Sequence, residues 1–289
     1  MDSRLKGARL IVTTSGGKDS TAMCLYLMDN GYSISDFDRV FFDTGWEHQS
    51  TYEYLDKLEQ TIGPIIRLKA QIPIKEEHKE LVLKYETRLG FESPMIRRIF
   101  RHLAFPGRVM KWCTRDLKIK PAKKFFAKLE DDYVQLVGIR KEESPKRKKM
   151  EEWEWSDAFD CWIWRPLIDW TFADVISIHK RFNLVPNPLY LSGSNRVGCW
   201  PCIMSRKKEI AQLDDHRVSI IRDLERDITN LKVNDQRVST FFQTVERNHH
   251  AITNIDHVME WAATAYGGKQ MELFSKEEPT CVKWGLCNI

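Results

Sequence analysis

No stretch of this chain approaches the roughly 18 consecutive apolar residues that a membrane-crossing helix needs, so no membrane span is indicated. The opening residues Met1-Asp2-Ser3-Arg4-Leu5-Lys6 lack the apolar segment of a secretory signal and soon enter a strand-like run, which predicts a cytoplasmic protein. That compartment is reducing, so the 7 cysteines are not expected to form a disulfide framework. Metal or cluster binding, catalysis and core packing are the roles left to them. No internal repeat is present, which sets repeat architectures aside.

What the chain does have is 42% hydrophobic and 30% charged residues over 289 positions. That is enough for a buried core under a wet surface, in one large domain or a core domain with an extension. The net charge of +4 is compatible with polyanionic partners but does not single them out. The cations are uneven. Arg97, Arg98, Arg101, Arg108, Lys111 and Arg115 share one stretch, continued by Lys118, Lys120, Lys123 and Lys124; Arg140, Lys141, Lys146, Arg147, Lys148 and Lys149 form a second. Solvated helix or loop faces are the plainer reading of both.

Arg9-Leu10-Ile11-Val12-Thr13-Thr14 is short, apolar and β-branched, and reads as a buried strand. A helical pattern over Thr21 to Met28 follows, closed by Asn30-Gly31. Val40-Phe41-Phe42, Ile65-Ile66-Arg67-Leu68, Tyr133-Val134-Gln135-Leu136-Val137-Gly138 and Trp162-Ile163-Trp164-Arg165-Pro166-Leu167 are the further strands, with a helix from about Gln49 to Ile62 ended by Gly63-Pro64. Strands alternating with helices predict an α/β fold, a doubly wound, mostly parallel sheet. From about Asp214 to Ala265 the pattern is helical and charged. The expected division is therefore a nucleotide-binding domain over 1–210 and a helical C-terminal extension with a cysteine-containing tail over 211–289.

Between the first strand and its helix lies Ser15-Gly16-Gly17-Lys18-Asp19-Ser20. A strand running through glycines into a helix gathers backbone N–H groups around one concavity, and the helix dipole adds positive potential, which suits phosphate or pyrophosphate. Lys18 can balance phosphate charge, and the Ser15 and Ser20 hydroxyls can donate to its oxygens. The spacing is not that of a Walker loop. An ordinary capped glycine turn is the bland alternative. Arg140 and Arg147 are anion-contact candidates with Glu143 to orient one of them, and Asp19 and Asp43 are candidates for ribose or magnesium.

With these residues in place the chain resembles the PP-loop ATP pyrophosphatases, whose signature is Ser-Gly-Gly-x-Asp-Ser, and within them the phosphoadenylylsulfate reductase branch. Phe42-Asp43-Thr44-Gly45 is similar to that branch's second-strand motif, beside the adenosine. Gly138-Ile139-Arg140-Lys141-Glu142-Glu143-Ser144 with Arg147 resembles its Gly-x-Arg-x-x-Glu-Ser-x-x-Arg motif, and Arg165-Pro166-Leu167-Ile168-Asp169-Trp170 its Arg-Pro-Leu-x-x-Trp segment. Asn187-Pro188-Leu189-Tyr190 leads into Gly198-Cys199-Trp200-Pro201-Cys202. The likeness covers about residues 9 to 210 and implies an adenine nucleotide alpha-hydrolase-like fold. It also implies ATP with magnesium as the cofactor, held by Ser15, Gly16, Gly17, Lys18, Asp19, Ser20, Asp43, Gly138 and Glu143, with Lys18, Asp19, Arg140 and Arg147 acting in catalysis.

The cysteines carry a second expectation. Cys199-x-x-Cys202 can place two thiolates on one soft metal. Cys113 stands where the cluster-containing adenylylsulfate reductases have Cys-Cys-x-x-Arg-Lys-x-x-Pro, with Trp112 replacing the first cysteine. The resemblance thus implies a [4Fe-4S] cluster on Cys113, Cys199, Cys202 and either Cys281 or Cys287, or an open iron, with zinc as the fallback. Cys24 and Cys161 read as core residues, and His48, His249 and His250 as ordinary histidines.

Members of this type that serve DNA phosphorothioation adenylylate an acceptor and insert sulfur from a persulfide donor. That implies a cysteine desulfurase and DNA as partners, and a homo-oligomer or multi-subunit modification complex. The basic stretches would track phosphates, and Trp153, Trp155, Trp162 and Trp164 would either stack bases or form one aromatic strand face. The alternative from the same fold is an adenylylsulfate or phosphoadenylylsulfate reductase producing sulfite. Those enzymes attack with the cysteine of a Glu-Cys-Gly-Leu/Ile-His tail, whereas this chain ends Trp284-Gly285-Leu286-Cys287-Asn288-Ile289. A non-catalytic nucleotide-binding subunit is the third class, against which the joint presence of Lys18, Asp19, Arg140 and Arg147 argues.

Overall fold

Alternation along the first strand decides the layering. In β1 (Arg9–Thr14) Leu10 and Val12 pack into one apolar cluster and Ile11 into another, so both faces of the strand are covered. The structure is a computed structural model that describes residues 2–232, 238–242, 253–264 and 284. After β1 come α1 (Lys18–Asp29), β2 (Phe37–Asp43), α2 (Gln49–Ile62), β3 (Ile65–Lys69), α3 (Lys79–Leu89) and α4 (Pro94–His102). A one-turn α5 (Trp112–Thr114) runs through a π-helical turn at Arg115–Ile119 into α6 (Lys120–Phe126). The rest is β4 (Tyr133–Val137), β5 (Trp153–Ser156), β6 (Cys161–Trp164), α7 (Phe172–Arg181), α8 (Pro188–Leu191), α9 (Lys207–Ile210), α10 (Asp215–Leu231) and α11 (Ile255–Ala262).

The six strands form one sheet in the order β3-β2-β1-β4-β6-β5. β1 is parallel to both β2 and β4, with Thr13 facing Val40 on one side and Val137 on the other. β3 and β6 extend the parallel array, and only β5 is antiparallel. The α/β, mostly parallel expectation therefore holds. The last parallel strand is shorter than its sequence pattern, because Pro166 has no N–H to continue a ladder. Trp153 stacks on Trp164 at 5.2 Å, Trp155 meets Trp162 edge-on at 5.5 Å, and the Arg4 guanidinium lies over Trp153. The tryptophans thus form one aromatic strand face that packs on itself.

Local sequence sets the helix ends. His48 caps α2 by accepting the Ser50 N–H, and Gly63, at φ 87°, closes it. Ser93 Oγ accepts the Ile96 N–H ahead of Pro94 at the start of α4. Leu25, Leu55 and Leu136 are fully buried between the sheet and its helices, each stabilising the fold by roughly 1.5–3 kcal/mol. The second large cluster joins Trp46, Ile96 and Phe100 to Ile220, Leu224 and Ile255, so α10 and α11 pack onto α4 and the end of β2.

Candidate active site

The parallel sheet brings the C-terminal ends of β1, β2 and β4 together, where open α/β sheets hold their ligands. Ser15-Gly16-Gly17 leaves β1 here, with Gly16 at φ 69°. The loop holds itself: the Ser15 N–H donates to Ser20 Oγ at 3.1 Å, and Ser20 Oγ donates to the Gly17 carbonyl at 3.0 Å. The Lys18 N–H donates to Tyr190 Oη at 3.1 Å, across 172 residues. A Cβ on Gly17 would stand 3.2 Å from that same Tyr190 oxygen, so the second glycine is what lets Tyr190 approach.

Lys18, Asp19 and Arg140, three of the four expected catalytic residues, form one buried ion group. Lys18 Nζ is 3.0 Å from one Asp19 carboxylate oxygen and Arg140 Nε is 2.6 Å from the other. Arg140 is only 3% exposed and also pairs with Glu142. Burial works against each charge, but the partners win. Lys18 and Arg140 are raised above their ordinary pKa values, chiefly by Tyr190 and Asp19 for the first and by Asp19 for the second, and the two cations hold Asp19 below its own. Asp19 stands between the two cations beside the helix N-terminus, and Glu142 offsets Arg140 from the outer side, so Lys18 and Arg140 are held in place by two carboxylates. Phe172 lies 5.8 Å from Lys18 Nζ and 5.9 Å from the Arg140 guanidinium.

Gly138 directly follows β4 under this group, and an added Cβ there would fall 2.2 Å from the Asp19 carbonyl oxygen. The Arg140 N–H donates to Glu143 at 2.9 Å, and Glu143 also pairs with Arg147. Arg147 is thus held on the rim through Glu143, apart from the buried group.

The second network lies at the end of β2. Asp43 accepts from Tyr52 Oη and from the Gly45 N–H, both at 2.8 Å, and pairs with Lys69 at 3.1 Å. Tyr52 Oη also lies 3.0 Å from Glu47, whose other oxygen accepts from Thr44 at 2.7 Å. Both candidate magnesium carboxylates, Asp19 and Asp43, are therefore engaged by cations or donors of the protein itself, an arrangement that does not fit a resident magnesium ion.

Glu47 and Cys199 form an antiparallel bridge, which brings the Cys-x-x-Cys loop to the end of β2. Cys199 Sγ is 3.6 Å from Thr44 Oγ1 and 3.9 Å from Glu47. Trp46 locks the loop: its Nε1–H donates to the Pro201 carbonyl at 3.1 Å and its carbonyl accepts the Trp200 N–H at 2.8 Å. Arg217 of α10 lies over Trp46 at 4.6 Å and donates to the Glu47 carbonyl, so the C-terminal helices buttress the site.

Cys113, Cys199 and Cys202 pack against the same apolar cluster, with Lys118 among them. Burial opposes the Lys118 ammonium, but Cys199, Glu47, Cys202 and Cys113 raise its pKa. Burial pushes the Cys199 thiol up to about 12 and raises Cys113 as well. A thiol set suits a soft metal, but among the described residues no three Cys, His, Asp or Glu side chains stand at metal-holding spacing. The three thiols are soft donors of the kind that holds a cluster or zinc, and the expected set is completed by Cys281 or Cys287. Cys281, Cys287, His249 and His250 lie outside the described residues. Cys24 and Cys161 are buried core residues, as their surroundings in the sequence suggest, and His48 is a helix cap.

Sequence reading passed over Glu47, Tyr52, Lys69, Lys118 and Arg217. Glu47 had a usable signal, as an acid four residues beyond the strand-end Asp43, and Tyr52 lies in the first helical turn beyond it; Lys69, Lys118 and Arg217 act across long sequence separations. Among the described residues no helix is long and apolar enough to cross a membrane.

Residues 9–205 match the phosphoadenosine phosphosulfate reductase domain family. The chain is 31% identical, over 330 aligned positions spanning 96% of both proteins, to an uncharacterised 37.8 kDa protein of Escherichia phage 186. It is 26% identical over 176 residues to the adenosine 5'-phosphosulfate reductase of Burkholderia cepacia, across 61% of this chain and 62% of that enzyme. A crystal structure of the phosphoadenylyl-sulfate reductase of Candida auris in a phosphate complex aligns with a TM-score of 0.49 at 19% identity, over 67% of this chain and 82% of that one. On the domain match and the phage relative, the chain belongs to the phosphoadenosine phosphosulfate reductase domain family.

Proposed function

We propose that this chain is an ATP pyrophosphatase-type sulfurtransferase that adenylylates an acceptor, the phosphate of a DNA backbone, for sulfur insertion. The observation that carries the reading is the buried pair of cations, Lys18 and Arg140, fixed by Asp19 at the N-terminus of α1. An acceptor oxygen attacks the α-phosphorus of ATP and pyrophosphate leaves. Ser15, Gly16, Gly17 and Ser20 cradle the phosphates, and Lys18 and Arg140 stabilise the charge of the pentacoordinate phosphorus. Asp19 fixes both cations so that no reorganisation is needed during the step. Arg147, held by Glu143, meets the anion from the rim, Asp43 faces the ribose, and Gly138 keeps Asp19 in place. Magnesium arrives with ATP, as part of the substrate.

The terminal sulfur of a persulfide, supplied by a cysteine desulfurase or another donor, then attacks the activated acceptor phosphorus and expels AMP. A thiol reductant cleaves the resulting S–S bond and leaves sulfur on the acceptor. The protein works in the cytoplasm as a homo-oligomer or within a multi-subunit modification complex.

The name of the Burkholderia cepacia relative supports a second reading, reduction of an adenylyl sulfate to sulfite. One assay separates the two. Anaerobically purified protein with ATP and magnesium should release pyrophosphate, and Lys18→Ala should lower that rate by roughly 10²–10³. No release, together with sulfite formed from adenylyl sulfate and thioredoxin, would overturn the sulfurtransferase reading in favour of the reductase.

A further inference from the structure

At the exposed edge of the sheet, beyond β3, a cavity of about 500 Å³ opens between the end of that strand, α4 and α6. Apolar residues such as Leu68, Ile72 and Phe125 form part of its wall, and cations dominate the charged residues in it. Arg98, Arg101, Arg115, Lys120, Lys124 and Lys128 line it, Lys69 stands at its inner end, and Asp116 is its one carboxylate.

Asp116 cannot neutralise this set. It already accepts from Arg98 at 2.8 Å and from Arg115 and Lys120 at 2.9 Å each, three cations on one anion. Arg101, Lys124 and Lys128 form no ion pair among the described residues. Arg98 is 8% exposed, and its Nη1 has no hydrogen-bond partner among the described residues although it is buried. The Arg98 guanidinium also lies 4.7 Å over the Trp112 ring, so it is fixed at the base of the cavity, where its charge adds to that of the exposed cations. The like charges crowd a neighbour too: burial, with Arg98 and Arg101, holds His102 below its ordinary pKa.

The arrangement of the charges says what kind of anion fits. Lys120, Lys124 and Lys128 recur every fourth residue along α6 and the turn that continues it, a ladder with steps of about 6 Å. A compact anion would engage one rung; a chain with charge at regular intervals engages all three. The ladder also leads towards the nucleotide loop. Lys69 both lines the cavity and pairs with Asp43 at 3.1 Å, and Asp43 ends the strand beside the one that opens the loop.

We propose that this cavity is a second anion site, separate from the nucleotide loop, that grips the phosphodiester backbone of a nucleic-acid strand and leads it to the loop. Arg101 takes one phosphate in the cavity with the buried Arg98 charge behind it, while Lys120, Lys124 and Lys128 follow the strand outward. The inference rests on the sulfurtransferase reading only for the use made of the strand; binding itself is independent of it.

The test uses the full chain and fluorescence anisotropy of end-labelled oligonucleotides, single- and double-stranded DNA and single-stranded RNA, between 50 and 200 mM salt. The triple variant Arg101→Gln, Lys124→Gln, Lys128→Gln changes only exposed side chains. It should weaken binding about tenfold or more at 0.1 M salt and reduce the slope of log K against log salt by about 2–3. The charge-matched control Lys6→Gln, Lys57→Gln, Lys180→Gln, also exposed, should keep the wild-type affinity and slope. Equal losses in the two variants would reduce the effect to net charge and overturn the proposal, as would a triple variant binding within twofold of wild type. Failure of the wild-type chain to bind any of the three oligonucleotides, with inorganic pyrophosphate bound at the cavity instead, would also overturn it. Pyrophosphate release from ATP, measured separately on wild type, reports on the sulfurtransferase reading alone.

Discussion

Replacing Gly138 by alanine adds a single methyl group, and the structure says where it goes. The new carbon would sit 2.2 Å from the Asp19 carbonyl oxygen, 2.7 Å from its carbonyl carbon and 3.0 Å from Ser20 Cα. Non-bonded heavy atoms prefer separations of about 3.5 Å or more, so β4 and the first turn of α1 must part by roughly 1 Å. Both obstacles are backbone, and Leu25 and Leu136 behind them are fully buried, so no flexible side chain can yield. Overpacking costs typically 1–3 kcal/mol, and a rigid obstacle places this case at about 3 kcal/mol. In a chain of this size that lowers Tm by roughly 6–12 °C. A displacement of about 1 Å at the phosphate loop should also cut pyrophosphate release about 10²-fold. Gly7→Ala is the control. Gly7 has φ 77° with nothing within 4 Å of an added Cβ, so it pays only the left-handed backbone cost of about 1–2 kcal/mol and should keep its pyrophosphate release. A Gly138→Ala protein with wild-type Tm and wild-type release would refute the steric account of this glycine.

Two further expectations concern buried charge. Arg140→Met leaves Asp19 with Lys18 as its one cation, and should slow pyrophosphate release by at least 10² while costing roughly 3 kcal/mol in a urea melt; equal rates would remove Arg140 from the reaction. Glu225 of α10 is buried and accepts the N–H groups of Phe241 and Ile255 at 2.8 Å each. Burial lifts its pKa to about 7, with Asp256 adding to the rise and Arg222 opposing it. The folded chain then holds a proton that the unfolded chain has released, so stability is greatest below about pH 4.5 for this group and falls as pH rises towards 7, by on the order of 3 kcal/mol. Urea midpoints taken from pH 5 to 7.5 should drift downward in wild type and less so in Glu225→Gln. Identical drifts in the two proteins would exclude Glu225 as the cause.

Much of the architecture was legible because it is written locally. β1 shows as a β-branched run, α2 is bounded by Gly63-Pro64, and α1 is closed by Asn30-Gly31. The glycine loop announced itself by standing between a strand and a helix. The parts that escaped depend on contacts across the sheet. Tyr190 stands in a motif of the sequence but carries no role there until its hydroxyl is seen receiving the Lys18 N–H. Lys118 looks like a member of a basic stretch and Lys69 like an ordinary strand end, yet one lies among thiols and the other pairs with Asp43. The aromatic run from Trp153 to Trp164 permitted base stacking or packing, and pairing of β5 with β6 turned the rings onto one another.

By itself the sequence determined the five parallel strands, the first two helices, the phosphate loop and the candidate residues, because hydrophobic period, glycine placement and capping act within a few residues. Only the tertiary structure decided that Asp19 stands between Lys18 and Arg140, that Glu47 is bridged to Cys199, and that the basic stretch becomes a cavity with a single carboxylate. Those outcomes follow from which strands are neighbours in the sheet, and strand order is set by the burial of both faces at once, a property that no short segment carries alone.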